Sequence, residues 1–250
     1  MNSNPLVSIV TVCFNSKNTI ARAIQSVIDQ TYLPIEYIVI DGFSTDGTVE
    51  ILNKFKNNID IIISEKDNGI SDAFNKGIKL AKGEFIQLLN ADDVLDKDKI
   101  KNSVELLLSN PTKALVYGDI IKSEKRGKNK ISGIENYNSK INYVMPKVNH
   151  PTFLVRSDIY KKYGMFDLKY KVSMDYDWFL RIHRLGEESI YSPTIKVFVE
   201  GGGASDAKAT TGFNECREIS IKHGLNPIKA NIYFIMRHLK QIIYKIIGIR

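Results

Sequence analysis

Cysteine is nearly absent: Cys13 and Cys216 are the only two in 250 residues. That is too few for a disulfide framework or a cysteine-based zinc site, and it suits a reducing compartment. No apolar run is long enough to cross a bilayer. The first 15 residues lack a basic leader, and their apolar run is interrupted by Ser8, Thr11 and Asn15, so it reads as a buried strand and not as a signal peptide. Without an export signal, the expected location is the cytoplasm. Neither a Walker A loop nor a Gly-x-Gly-x-x-Gly fingerprint occurs, which leaves phosphate handling to side chains and metal. The run STDGT at 44–48 ends like a phosphatase loop but has Ser44 where the nucleophilic Asp would stand, so that chemistry has no nucleophile.

The positive charge is concentrated in one acid-free segment. Residues 222–250 hold six of the 35 lysines and arginines and no Asp or Glu, so they carry all but one unit of the +7 net charge. The near-neutral remainder gives no reason to expect a nucleic-acid partner. Within the basic segment, Pro227 is placed to open a helix, and Ile232, Ile235, Met236, Leu239, Ile242, Ile243 and Ile246 mark one apolar stripe, with Arg237, Lys240, Gln241 and Lys245 on the other side. Such a helix either lies in the interface of an anionic leaflet or packs on the domain with a solvated basic face.

What is present is a repeating order of strands and helices. Apolar, β-branched runs at 7–13, 37–40, 61–63 and 85–89 have the character of strands buried on both faces. Amphipathic segments at 18–30, with Asn18 as cap, 48–56 and 71–81 separate them. This alternation predicts a mostly parallel α/β sheet with ligands at the carboxyl ends of its strands. Further on, helices are expected at 96–108, 157–163 and 175–185, strands at 114–120 and 195–199, and a surface loop over the polar stretch 122–140.

Carboxylates stand at two predicted strand ends. Asp41 follows the strand at 37–40 and opens a turn-rich run, where it can accept a nucleobase N–H or simply hold the turn. Asp92 and Asp93 follow the strand at 85–89. Adjacent like charges repel unless a cation joins them, and a hard divalent ion completed by diphosphate oxygens fits the pair; the simpler reading is a cap for the next helix.

As a set, SIVTVCFN (8–15), DGFSTDGT (41–48), DNGISDAFNKG (67–77), GEFIQLLNADD (83–93) and SMDYDWFLR (173–181) resemble glycosyltransferase family 2, in order and in spacing, over about residues 6–205. The resemblance implies a GT-A fold, a nucleotide-diphosphate sugar donor, preferably a UDP-sugar, Mn²⁺ or Mg²⁺, and an inverting transfer of the kind used in bacterial surface-polysaccharide and O-antigen synthesis. By position, Thr11 and Asn15 would line the nucleotide pocket, Asp41 would meet the base with Asp72 adding a contact, Asp92 would lie near ribose and metal, and Asp93 would ligate the metal. Asp175 matches the catalytic base, with its neighbour Asp177 as the other candidate. His150 in HPTF (150–153) resembles an acceptor-side segment, Trp178 would either stack on a sugar or fill the core, and Gly202 and Gly203 resemble a lid.

The expected organisation is a catalytic unit over 1–221, with a nucleotide-sugar half at about 1–120 and an acceptor half at about 141–221, then the basic helix of 222–250. The expected acceptor is a polyprenyl-diphosphate-linked glycan at the inner membrane face, with the basic helix on the anionic surface. A catalytically inactive nucleotide-sugar-binding scaffold is the competing class. A pyrophosphorylase would carry a Gly-rich basic loop after its first strand, where this chain reads CFNSKN (13–18), and a processive synthase would carry Gln-x-x-Arg-Trp, which is absent.

Overall fold

The computed structural model describes residues 4–124, 127–135, 137, 141–146, 148–200 and 209–246. β1 (Val7–Cys13) is buried along its whole length, as a β-branched run covered by helices on both faces must be. α1 (Ile20–Ile28), α2 (Thr48–Lys54) and α3 (Ile70–Leu80) connect β1 to β2 (Ile35–Asp41), β3 (Ile61–Ser64) and β4 (Phe85–Asn90). The four strands are mutually parallel in the order β3-β2-β1-β4. Their register sets Cys13 beside Asp41, Asp41 beside Ser64, and Val12 beside Asn90, so the carboxyl ends meet along one edge of the sheet.

The second half continues the same sheet. It contains β5 (Val94–Leu95), α4 (Lys99–Ser109), β6 (Lys113–Glu124), β7 (Gly127–Ile131), a 3₁₀ turn (His150–Thr152), β8 (Leu154–Arg156), α5 (Ser157–Tyr163), α6 (Met174–Arg184), β9 (Glu188–Glu200), α7 (Ala209–Lys222) and α8 (Pro227–Ile246). β8 pairs antiparallel with β4 and carries the sheet on to β6, β9 and β5. Two cores form, one on each face, because alternate residues of a strand point to opposite sides: Val10 and Val12 join the core containing Phe74, Trp178 and Phe179, whereas Ile9 and Cys13 join that of Ile24, Ile100 and Leu107. α3 sits so close to β1 that a Cβ on Gly77 would lie 2.1 Å from Val10 Cγ1, so the glycine lets the later part of α3 pack onto the middle of β1.

Several expectations are corrected. The polar stretch at 122–140 is partly a hairpin, with β6 and β7 paired from Ile120↔Ile131 to Glu124↔Gly127. An edge hairpin buries too little to show hydrophobic alternation. α1 opens after Thr19, so Asn18 is not its cap, and α4 opens after Asp98, so neither Asp92 nor Asp93 caps it. α7 and the three-residue β8 were not foreseen.

α8 packs on α7 through a polar and aromatic face. Arg237 lies 4.1 Å over the Phe213 ring, His238 meets the same ring edge-on, and Arg217 Nε donates to Asn231 Oδ1 at 2.5 Å. The opposite face is solvent-exposed and apolar: Ile228, Ile232, Ile235, Met236, Leu239, Ile242 and Ile243 are each 53–69% exposed.

Candidate active site

A cleft of about 820 Å³ opens at the carboxyl ends of β1 and β4. Asn15, Asp67, Asn90, Asp92, Asp93 and Pro151 are among its walls. The position is the one expected of an open α/β sheet, at the crevice beside the strand where the order reverses.

Asp92 is partly exposed in the cleft, while Asp93 is only 2% exposed. Burial, then the charge of Asp92, pushes the Asp93 carboxyl up to about 7, against a hydrogen bond of 2.9 Å from Asn90 Nδ2. The other amide atom, Asn90 Oδ1, is buried and accepts no hydrogen bond from the described residues. A buried carboxylate, a second carboxylate and an unused amide oxygen form a set of hard oxygen donors, and their mutual repulsion is the kind a divalent ion relieves. Among the described residues no group of three or more His, Cys, Asp or Glu side chains encloses a metal site. An ion held here would therefore need oxygens from a ligand such as a diphosphate, as Mg²⁺ commonly does.

Asn15 holds the cleft's other rim. It adopts a left-handed φ of 48°, its N–H donates to Ser44 Oγ at 2.8 Å and its Oδ1 accepts from Thr45 N at 3.0 Å. Phe14 beside it is 63% exposed, an aromatic ring kept in solvent at the edge of the cleft.

Two residues that the resemblance puts at the nucleotide pocket do not line this cleft. Thr11 is fully buried within β1, its hydroxyl 3.1 Å from that of Tyr37, because it points into the sheet and not off its end. Asp41 is also fully buried, and its carboxylate accepts from Ser44 N at 3.0 Å, Ser64 Oγ at 2.6 Å, the Ser44 hydroxyl and the Cys13 thiol. Those donors occupy it as the organiser of the 41–48 turn. Asp72 accepts from Asn68 N at 2.9 Å and ties the loop that enters α3. Asp67, not singled out from the sequence, lines the cleft instead. Its Oδ1 accepts from Gly69 N at 2.8 Å, and its Oδ2 lies 2.5 Å from where a Cβ on Gly42 would stand, so the glycine makes room for the carboxylate. That Asp-x-Gly spacing was the available signal.

His150 and Asp175 form a second group, beside the cleft wall at Pro151. Asp175 lies in the first turn of α6, partly exposed yet ringed by protein, and its Oδ1 accepts from Tyr176 N at 2.8 Å. Burial raises its pKa above the usual carboxylate range, opposed by the nearby His150. His150 packs against Phe153, Phe166 and Phe74, and burial lowers its pKa, so the imidazole stays neutral at pH 7. Glu215 on α7, also unforeseen, accepts from the backbone N–H groups of Lys171, Val172 and Ser173 at 2.7–2.9 Å and so fixes the approach to α6.

The neighbours of Asp175 are buried and held by protein groups. Asp177 is fully buried and bonded to Arg181, Lys222 and His223, each at 3.0 Å. Burial alone would raise its pKa, but hydrogen bonds from His223 and Lys222 and the charges of Lys222 and Arg181 hold it at about 2. Trp178 is fully buried, stacks on Tyr160 and donates its indole N–H to Gly164 O at 3.0 Å, so it fills the core and meets no sugar. Gly202 and Gly203 lie outside the described residues.

The family profile described as "Glycosyl transferase family 2" matches residues 8–181. The chain belongs to glycosyltransferase family 2. It is 40% identical over 105 residues to the Escherichia coli "UDP-Glc:alpha-D-GlcNAc-diphosphoundecaprenol beta-1,3-glucosyltransferase WfaP", covering 41% of this chain and 41% of that one. It thus spans less than half the length of this relative. Its fold matches Staphylococcus aureus TarS 1-349 in complex with UDP-GlcNAc at TM-score 0.71, with 19% identity and coverage of 94% of this chain and 72% of that one. It also matches the mannosyltransferase PcManGT of Pyrobaculum calidifontis in complex with GDP-Man and Mn²⁺ at TM-score 0.70, with 17% identity and coverage of 93% and 70%. The fold is therefore GT-A.

Proposed function

We propose that this family 2 chain is an inverting glycosyltransferase that moves a sugar from a nucleotide-diphosphate donor, a UDP-sugar for preference, to the hydroxyl of a lipid-linked glycan. The single observation that carries the chemistry is the division of carboxylates. Asp92 and Asp93 stand together in the cleft, whereas Asp175 stands apart beside His150 with no cation bonded to it among the described residues. Asp93, with Asp92, would hold Mn²⁺ or Mg²⁺, which as a Lewis acid supplies neutralisation of the charge gathering on the departing diphosphate.

Asp175 takes the proton from the acceptor hydroxyl as its oxygen bonds to the anomeric carbon. The bond from that carbon to the diphosphate oxygen breaks in the same step, and its electron pair leaves with the nucleoside diphosphate. One displacement inverts the centre. A raised pKa makes Asp175 a better base than an ordinary carboxylate. Phe14 offers its exposed ring to the nucleobase and Asp67 offers the carboxylate that Asp41 cannot. The donor-binding residues belong to the half at about 1–120, and His150 and Asp175 to the half at about 141–221.

The acceptor and the location draw on α8 and on the relative named for a diphosphoundecaprenol acceptor. No described helix is long and apolar enough to cross a membrane. The outward stripe of α8, flanked by exposed Lys229 and Lys240 on a helix without acidic residues, suits the interface of an anionic inner leaflet and gives a peripheral enzyme. Release of UDP from a panel of UDP-, GDP- and dTDP-sugars, with Mn²⁺ or with EDTA, tests the reading. Mn²⁺-dependent release from a UDP-sugar supports it, and metal-independent binding with no release from any donor favours the inactive scaffold.

A further inference from the structure

Lys99 is the first residue of α4 and is fully buried, as is Gln87 in the middle of β4. A buried lysine normally has a carboxylate beside it. Among the described residues none bonds this one. Its amine donates to Gln87 Oε1 and, at 3.3 Å, to the carbonyl oxygen of Phe153. Gln87 in turn donates from Nε2 to the carbonyl oxygens of Pro151 at 3.0 Å and Leu88 at 2.6 Å. Burial drives the amine's pKa well below the usual lysine range. Two acceptors meet the amine's N–H groups.

The placement of this pair explains its use. β4 leads into Asp92 and Asp93, and α4 follows them, so Gln87 and Lys99 stand on the two elements that bracket the proposed metal-binding turn. Two of the three carbonyl oxygens they hold belong to the segment around His150, since Pro151 lies within the 3₁₀ turn and Phe153 follows it, while the third, that of Leu88, is in β4 itself. Thr152 ties the same turn to β6 by accepting from Gly118 N at 2.8 Å. An apolar residue of equal length at position 99 would fill the space and leave the Gln87 and Phe153 oxygens without a donor.

We propose that Lys99 and Gln87 are positioning residues that couple the metal-side carboxylates to the acceptor-side segment and set where His150 stands against Asp175. The proposal rests on Asp175 and His150 being the acceptor side of the site. Neither residue touches substrate. Their loss should therefore spare donor binding and lower turnover.

The test compares wild type, Lys99→Met and Gln87→Glu. Gln87→Glu keeps an acceptor for the amine while deleting the donor to Pro151, so it serves where Lys99→Met folds poorly. The first readout is UDP release to water, in Mn²⁺, from whichever UDP-sugar the wild type hydrolyses. Both variants should keep KM within twofold and lose at least tenfold in kcat. The second readout needs no substrate: the imidazole titration of His150 by NMR, assigned with His150→Gln, with and without Asp175→Asn. Asp175→Asn should lower the His150 pKa in wild type and shift it less than half as far in either variant. An unchanged kcat, a KM that rises in step with the loss, or an undiminished His150 shift would each overturn the proposal. If the wild type hydrolyses no UDP-sugar, the donor assignment fails, and the His150 titration still decides this one.

Discussion

Asp175 and Asp177 lie two residues apart in the first turn of one helix, and their surroundings drive them in opposite directions. Asp177 is bonded to Arg181, Lys222 and His223 and held at about 2, whereas Asp175 has no such cations and is raised by burial. One carboxylate therefore joins α6 to α7, and the other is left for chemistry.

Asp177→Asn should accordingly cost stability and not the chemical step. Its partners Arg181, Lys222 and His223 are all partly exposed, so the loss is on the order of 1–3 kcal/mol, below that of a fully buried pair. Because its folded-state pKa is depressed, the stabilisation is present above the ordinary carboxylate pKa and disappears as the pH falls through about 2. Thermal melts at pH 7 should show a lowered Tm with kcat of the folded protein retained. An Asp177→Asn protein as stable as wild type contradicts the structural assignment.

Asp93 carries the opposite sign. Its pKa of about 7 means that the metal-free protein bears a growing penalty as the pH rises from about 4 through 7, where the buried carboxylate ionises. Asp93→Asn should thus raise the Tm of EDTA-treated protein at pH 8 and abolish the further protection given by Mn²⁺ with UDP. In wild type, Mn²⁺ should bind more tightly at pH 8 than at pH 6, because the ion competes with a proton. Mn²⁺ protection that survives in Asp93→Asn excludes it as a ligand.

The strand framework was legible because runs such as VSIVTVC are buried on both faces and announce themselves by composition alone. The strand-end position of Asp92 and Asp93 was legible for the same reason. Direction was not. Thr11 and Asp41 sit where the sequence places them, but which way their side chains turn depends on what meets them, the Tyr37 hydroxyl for Thr11 and Ser64 for Asp41. Trp178 and Asp177 fall on a helix whose buried face is set by α5 and α7, and α7 itself gave little signal in a segment that mixes Thr, Gly and charge. The β6–β7 hairpin is polar throughout its tip, so only pairing reveals it.

Of the apolar stripe expected on α8, Ile232, Ile235, Met236, Leu239, Ile242 and Ile243 face solvent. Vesicles containing anionic lipid should retain the protein, with each exposed base adding on the order of 1 kcal/mol and raised salt releasing part of it. Ile232→Ser/Ile235→Ser/Leu239→Ser should cut sedimentation with such vesicles at least fivefold while leaving Tm within a few degrees, since these residues are already in solvent. If the triple variant instead converts a dimer to a monomer with vesicle binding unchanged, the stripe is a contact between copies and the membrane assignment fails.

The most direct measurement is the pH dependence of sugar transfer, or of UDP release to water, by wild type, Asp175→Asn and Asp177→Asn side by side. Asp175→Asn should lose a hundredfold or more in kcat with KM for the donor nearly unchanged, as expected for removal of a general base. Wild-type kcat should fall on the acid side with an apparent pKa above that of an ordinary carboxylate, because Asp175 must be ionised to accept the proton. Asp177→Asn should keep that acid limb. If Asp175→Asn retains turnover and its acid limb while Asp177→Asn is inactive though folded, the base has been assigned to the wrong carboxylate.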